Sequence, residues 1–157
     1  MGRRRLVLGG VVAAVLVAAG TATVLSVTHA QTVAARLPPA SASSEQVLRV
    51  YLRAAKAHDC AVTEALTDDS GGSDTAWCGG RTPSSWFDDH PDLLGYRHIG
   101  AVSRLSAKET GRAAEECIPV DVTETNMTGA EPGVLPGWQF CFRHTPAGWR
   151  LTDEGYG

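Results

Sequence analysis

The densest group of chemistry-bearing residues is DDSGGSDTAWC, positions 68–78, with three aspartates, a Gly-Gly pair and a cysteine. Such a stretch suits a cation loop, a general base in a turn, or a connection tied by a disulfide. A calcium loop needs oxygen ligands at fixed alternate positions, and the spacing of Asp68, Asp69 and Asp74 does not supply them. Those aspartates therefore read as solvated loop residues, and Asp88, Asp89 and Asp92 around His90 read as capping and surface charge. His58, His90, His98 and His144 show no H-E-x-x-H spacing, and Cys60, Cys78, Cys117 and Cys141 form no C-x-x-C. There is no G-x-S-x-G, phosphate loop or dinucleotide fingerprint. No metal and no cofactor are expected.

The cysteines take their meaning from the start of the chain. MGRRR (1–5) is a basic tail, and LVLGGVVAAVLVAAGTATVLSV (6–27) follows without a charge. As a helix that run is ~33 Å long, the thickness of a bilayer core. Arginines on its N-terminal side place the tail in the cytoplasm and the rest outside. The segment reads as a single-pass signal-anchor in the cell membrane. The competing reading is a signal peptide cut near Ala30, which would secrete the remainder. Either way the cysteines meet an oxidising compartment, where an even number implies disulfides. Residues 31–157 carry 11 Lys/Arg against 17 Asp/Glu, a net charge of −6, which disfavours nucleic acid. The Ala, Gly and Arg richness suggests a bacterial source.

Residues 28–42, with Pro38-Pro39 among Ala and Ser, read as a stiff linker, and 43–157 as one extracytoplasmic domain. Ser43 and Gln46 make a capping box. From Glu45 the polar residues Glu45, Gln46, Arg49, Arg53 and Lys56 share one side of a helix, and Val47, Leu48, Val50, Tyr51, Leu52, Ala54 and Ala55 the other. Asp59 suits the cap of a shorter helix ending at Leu66. Residues 67–83 read as loop, and Ser84 or Ser85 as the cap of one turn around Trp86 and Phe87. The period then becomes two, with strands expected near 95–106, 115–125, 137–144 and 148–156. The class is α+β, with N-terminal helices packed on a four-stranded antiparallel sheet.

The middle strands specify their own register. Ile118, Val120 and Val122 share a face, as do Trp138, Phe140 and Phe142. Pairing 118 with 140 and 120 with 138 puts all of them on one side, and places Cys117 opposite Cys141 on the other. Those two cysteines can bond if their pair is of the non-hydrogen-bonded kind. Cys60 then joins Cys78 by elimination. Pro119 cannot donate to a ladder and implies a bulge or an edge.

VLRVYLRAAKAHDC (47–60), EALTDD (64–69) and AGWRLTD (147–153) together resemble the nuclear transport factor two-like superfamily. This is the curved cone shared by ketosteroid isomerases and snoaL-like cyclases. The resemblance implies that the sheet curves into a cone over the helices. Tyr51 stands where the isomerases have an oxyanion donor, and Asp74 where they have the proton-abstracting carboxylate. The family has strand-forming residues before that aspartate, whereas this chain has Gly71-Gly72-Ser73.

The leading expectation is a non-enzymatic domain, anchored to the membrane, that binds a small apolar ligand or docks an envelope protein. Tyr51, Trp86, Trp138, Phe140 and Trp149 would line its pocket. The alternatives are an isomerase or cyclase using Tyr51 and Asp74, and a structural accessory subunit of an envelope complex. A hollow cone favours ligand or enzyme, and a filled one favours docking.

Overall fold

The computed structural model describes residues 31–68, 77, 91–125 and 132–156. The expected membrane span at 6–27, Asp74, Cys78 and Trp86 lie outside these. Among the described residues no helix is long and apolar enough to cross a membrane. Residues 31–36 belong to an N-terminal unit of their own, where Ala35 N–H donates to the Gln31 carbonyl in a helical turn. The second unit comprises Leu37–Gly157. Ala42, expected to be plain linker, is buried in it.

Helix α1 (Ser44–Lys56) starts where its cap predicts. The Ser43 side chain accepts from Gln46 N–H, and the Gln46 side chain accepts from Ser43 N–H. Its buried side is Val47, Leu48, Tyr51, Leu52, Ala54 and Ala55, the stripe read from the 3.6-residue period save for Val50, which is only half-buried. Helix α2 (Cys60–Leu66) ends at Leu66 as expected, but Asp59 makes no side-chain capping bond. Thr63 and Thr67 hydroxyls instead bond back to carbonyls one turn earlier.

Among the described residues the sheet is open and antiparallel, with five strands rather than four. They are β1 (Leu93–Arg97), β2 (Ser103–Leu105), β3 (Glu115–Thr125), β4 (Pro132–Thr145) and β5 (Gly148–Gly155). A helical turn, α3 (Ala107–Thr110), joins β2 to β3 behind a Ser106–Glu109 capping box. The class is α+β, and the order is β1-β3-β4-β5 with β2 also on β3.

The extra strand comes from the split of the expected 95–106 segment. β1 pairs with Asp121–Glu124 and β2 with Glu115–Cys117, on one edge of β3. Between them the chain departs from the ladder opposite Pro119. Gly100 N–H donates to the Pro119 carbonyl at 2.8 Å, so the polar atoms of Pro119 face this gap. The amide hydrogen that proline lacks is thus missing where no regular strand asks for it. A Cβ on Gly100 would meet Pro119 Cγ at 2.7 Å, which explains the glycine.

β3 and β4 adopt the expected register. Ile118 faces Phe140, Val120 faces Trp138 and Cys117 faces Cys141. Past Val120 the pairing shifts by one, so that Asp121 stands against a bulge at Gly137. Gly137 has φ +68°, a left-handed conformation that favours glycine, and its N–H donates to Asp121 Oδ1 at 3.0 Å. A second shift, between Cys141 and Phe142, leaves Thr152 of β5 unpaired. Its hydroxyl donates to the Cys141 carbonyl. Such bulges increase local twist and curve a sheet.

On one face of the sheet Ile118, Val120, Val122, Phe140, Phe142 and Leu151 are fully buried beneath α1 and α2. Each such side chain stabilises the fold by about 1.5–3 kcal/mol relative to exposure. At the β5 edge, Asp68 N–H donates to the Leu151 carbonyl and the Asp68 carboxylate pairs with Arg143. Asp68, expected to be merely solvated, instead ties the loop entrance to the sheet.

Candidate functional site

The midpoint of α1 delivers Tyr51 to the centre of the buried face, where its ring stands edge-on to Phe140 at 6.1 Å. The Tyr51 hydroxyl reaches Glu154 Oε2 at 3.5 Å. Burial is the main cause that pushes the Tyr51 phenol well above its ordinary 10, and the neighbouring Glu154 charge adds to it. Tyr51 is fully buried, so this phenol has no open side on which a substrate could sit.

Trp77 completes the cluster from the other side. Its ring lies 5.9 Å from Phe140, and its indole N–H donates to Glu124 at 2.8 Å. The only described residue of the glycine-rich stretch beyond Asp68 is therefore a core anchor. Its signal in the sequence is modest: the lone aromatic residue in eleven otherwise small or polar positions. Glu154 gave no signal at all, because a carboxylate near a strand end reads as solvent-facing.

The other expected pocket residues disperse. Phe140 is fully buried between Tyr51 and Trp77. Trp138 is half-buried and packs edge-on against Tyr156 at 5.0 Å, with its indole nitrogen buried and lacking a hydrogen-bond partner among the described residues. Trp149 stacks edge-on with His144 near the β4–β5 turn. Tyr51 and Phe140 come together and Trp149 does not join them. Trp86 and Asp74 lie outside the described residues.

The opposite face of the sheet carries different chemistry. Cys117 and Cys141 form a disulfide with Cα atoms 4.0 Å apart. Their carbonyls turn away from each other: the Cys117 carbonyl accepts from Ser103 Oγ on β2, and that of Cys141 from Thr152 on β5. This is the close, non-hydrogen-bonded kind of pair that the cysteine spacing required. Cys60 is also disulfide-bonded, while its expected partner Cys78 lies outside the described residues. Glu115, Cys117 and Cys141 sit together at metal-ligand spacing, but both sulfurs are spent on their bond and no thiolate is available to hold an ion.

Farther along this face, Asp121 accepts from His98 at 2.8 Å and from Gly137 N–H. The bond to His98, then that to Gly137, holds the Asp121 carboxyl below its usual value. A pocket of about 140 Å³ lies at the β4–β5 end, lined by Gln139, Cys141, Asp153, Glu154, Gly155 and Tyr156.

No protein-family model matches this chain, and neither a curated protein nor a solved structure matches it. The functional reading rests on the molecule's own geometry.

Proposed function

We propose that the exported unit is a non-enzymatic docking domain of the cell envelope, held at the membrane by the uncharged segment at 6–27, which engages a partner protein. The observation that carries this reading is the filled interior. Tyr51, Phe140, Leu48, Leu52 and Ile118 occupy the space between helix and sheet where a cone would hold a ligand. Space packed in this way among the described residues points to action through the surface. Leu94 and Val134 are exposed apolar side chains near one end of the sheet, where Thr123 pairs with both Gly95 and Val134. The two-layer arrangement is in keeping with a nuclear transport factor two-like cone whose interior has closed. An oxidising compartment fits the disulfides.

The isomerase reading is the weaker one. It needs the Tyr51 hydroxyl directed at a substrate, and that hydroxyl is engaged by Glu154. Photo-crosslinking in intact cells tests the docking reading. A photoreactive residue at Val134 or Leu94 should give one discrete protein adduct, and the same residue at Arg49 or Arg53 on the outer side of α1 should give none. Equal labelling at all four positions would contradict it.

A further inference from the structure

β4 and β5 frame a notch on the face of the sheet that carries the disulfide. Gln139 and Cys141 flank the buried Phe140 on β4 and so project from that face. Across the ladder Gln139 pairs with Gly155 and Cys141 with Asp153. All four line the pocket of about 140 Å³, together with Glu154 and Tyr156. Gly155 leaves its share of the space open: a Cβ built there would meet no heavy atom beyond its chain neighbours within 4 Å. The Cys117–Cys141 bond fixes one wall. Tyr156, 65% exposed, makes another, and an edge-on contact with Trp138 at 5.0 Å holds its ring in place.

The polar groups of this notch are uncommitted. The Asp153 side chain is exposed and makes no hydrogen bond or ion pair among the described residues, and the Gln139 amide and Tyr156 hydroxyl make none either. The Glu154 carboxylate is turned to Tyr51 on the helix face, which leaves Asp153 as the one carboxylate of the site. Arg143, two positions from Cys141, is held by Asp68 and does not neutralise it. A free carboxylate, an amide oxygen and an exposed ring suit a guanidinium. The carboxylate accepts two parallel N–H bonds, the ring stacks on the planar cation, and the amide oxygen accepts a further N–H.

We infer that this notch receives an arginine side chain of the partner protein. The inference rests on the docking reading and names the chemistry of its partner. Val134 pairs with Thr123, which adjoins the buried Val122 on β3, so Val134 lies on the same face of the sheet as the notch. A partner segment that covers Val134 with apolar side chains sets its arginine between Asp153 and Tyr156. The net charge of −6 on residues 31–157 favours a basic partner at longer range. Lysine fits less well, because its ammonium neither forks onto a carboxylate nor stacks flat on a ring.

The test follows backbone amide shifts by NMR in the folded full-length chain, extracted in mild detergent. The probes are the N-acetyl amides of arginine, lysine and citrulline, the last having the shape of arginine without its charge. The arginine probe should shift Gln139, Asp153, Gly155 and Tyr156 saturably, with a Kd on the order of a millimolar for so small a contact. The citrulline probe should bind about fivefold more weakly and the lysine probe about threefold. Asp153→Asn should weaken arginine binding about fivefold and Tyr156→Leu about threefold. Glu64→Gln, which removes the same charge from an exposed position on α2, should leave it unchanged. No saturable shift at the four residues, equal binding of the three probes, or equal losses in Asp153→Asn and Glu64→Gln would each overturn the inference. The probe comparison on the unmutated protein stands even where a variant folds poorly. A Val134 adduct in cells without probe binding sinks the notch and leaves the docking reading intact; probe binding without that adduct does the reverse.

Discussion

The Tyr51 hydroxyl touches the Glu154 carboxylate at 3.5 Å although the two residues are 103 positions apart in the chain. This contact joins the middle of α1 to the end of β5 and closes the buried layer between them. It also explains why a tyrosine, rather than a phenylalanine, stands at the centre of an apolar helix face: its hydroxyl has a partner.

Replacing that tyrosine separates the packing of the ring from the bond of the hydroxyl. Tyr51→Phe should lower unfolding stability by about 0.5–1.5 kcal/mol, the loss of one modest hydrogen bond. Tyr51→Ala should cost about 3–5 kcal/mol because it leaves a cavity. Urea denaturation measures both, and similar losses for the two variants would show that the ring is not packed.

The same phenol gives an alkaline signature. Its folded pKa lies well above its ordinary 10, so its contribution to stability is fully present below pH 10. That contribution is lost as pH rises through the folded value. Ultraviolet titration should find one tyrosine that ionises only with unfolding, and Tyr51→Phe should remove this alkaline loss. Three tyrosines titrating together near pH 10 would contradict the burial.

Asp121 behaves in the opposite sense. His98 and Gly137 hold its folded pKa below the ordinary 3.8, so its contribution is present above that value and is lost as pH falls through the folded one. Carboxyl carbon shifts followed by NMR should show a late-protonating aspartate that moves part of the way to its ordinary value in His98→Ala, where the Gly137 bond remains. The group is solvent-accessible, so added salt should weaken the effect.

Much of this arrangement was legible in the residues. The capping box at Ser43 and Gln46, the buried stripe of α1 and the β3–β4 register were each readable, and the register had two signals that agreed. For the register these were an alternating apolar face and a cysteine pair. The fifth strand was hidden because residues 95–106 contain no proline and no clear turn pair, and only Gly100 and Pro119 together mark where the ladder parts. Bulges at Gly137 and Thr152 were likewise hidden, since one inserted residue barely alters the pattern. In the candidate site, Tyr51 was readable from its helix face. Glu154, Trp77 and Glu115 were not, because each depends on contacts distant in sequence.

The bond made by Cys60 has its own expected outcome. Non-reducing peptide mapping should join Cys60 to Cys78. A Cys60→Ala/Cys78→Ala variant should lose about 3 kcal/mol, or on the order of 10 °C in Tm, by releasing the unfolded loop. A map joining Cys60 to Cys117 or Cys141 would contradict both disulfides.

The central claim is that the space between α1 and the sheet is filled by the protein's own side chains. Native mass spectrometry of the full-length chain, extracted in mild detergent, tests this most directly. The account expects the bare chain mass, unchanged after incubation with steroid-sized apolar probes. A single small-molecule adduct that survives detergent removal and departs only when the protein unfolds would contradict it.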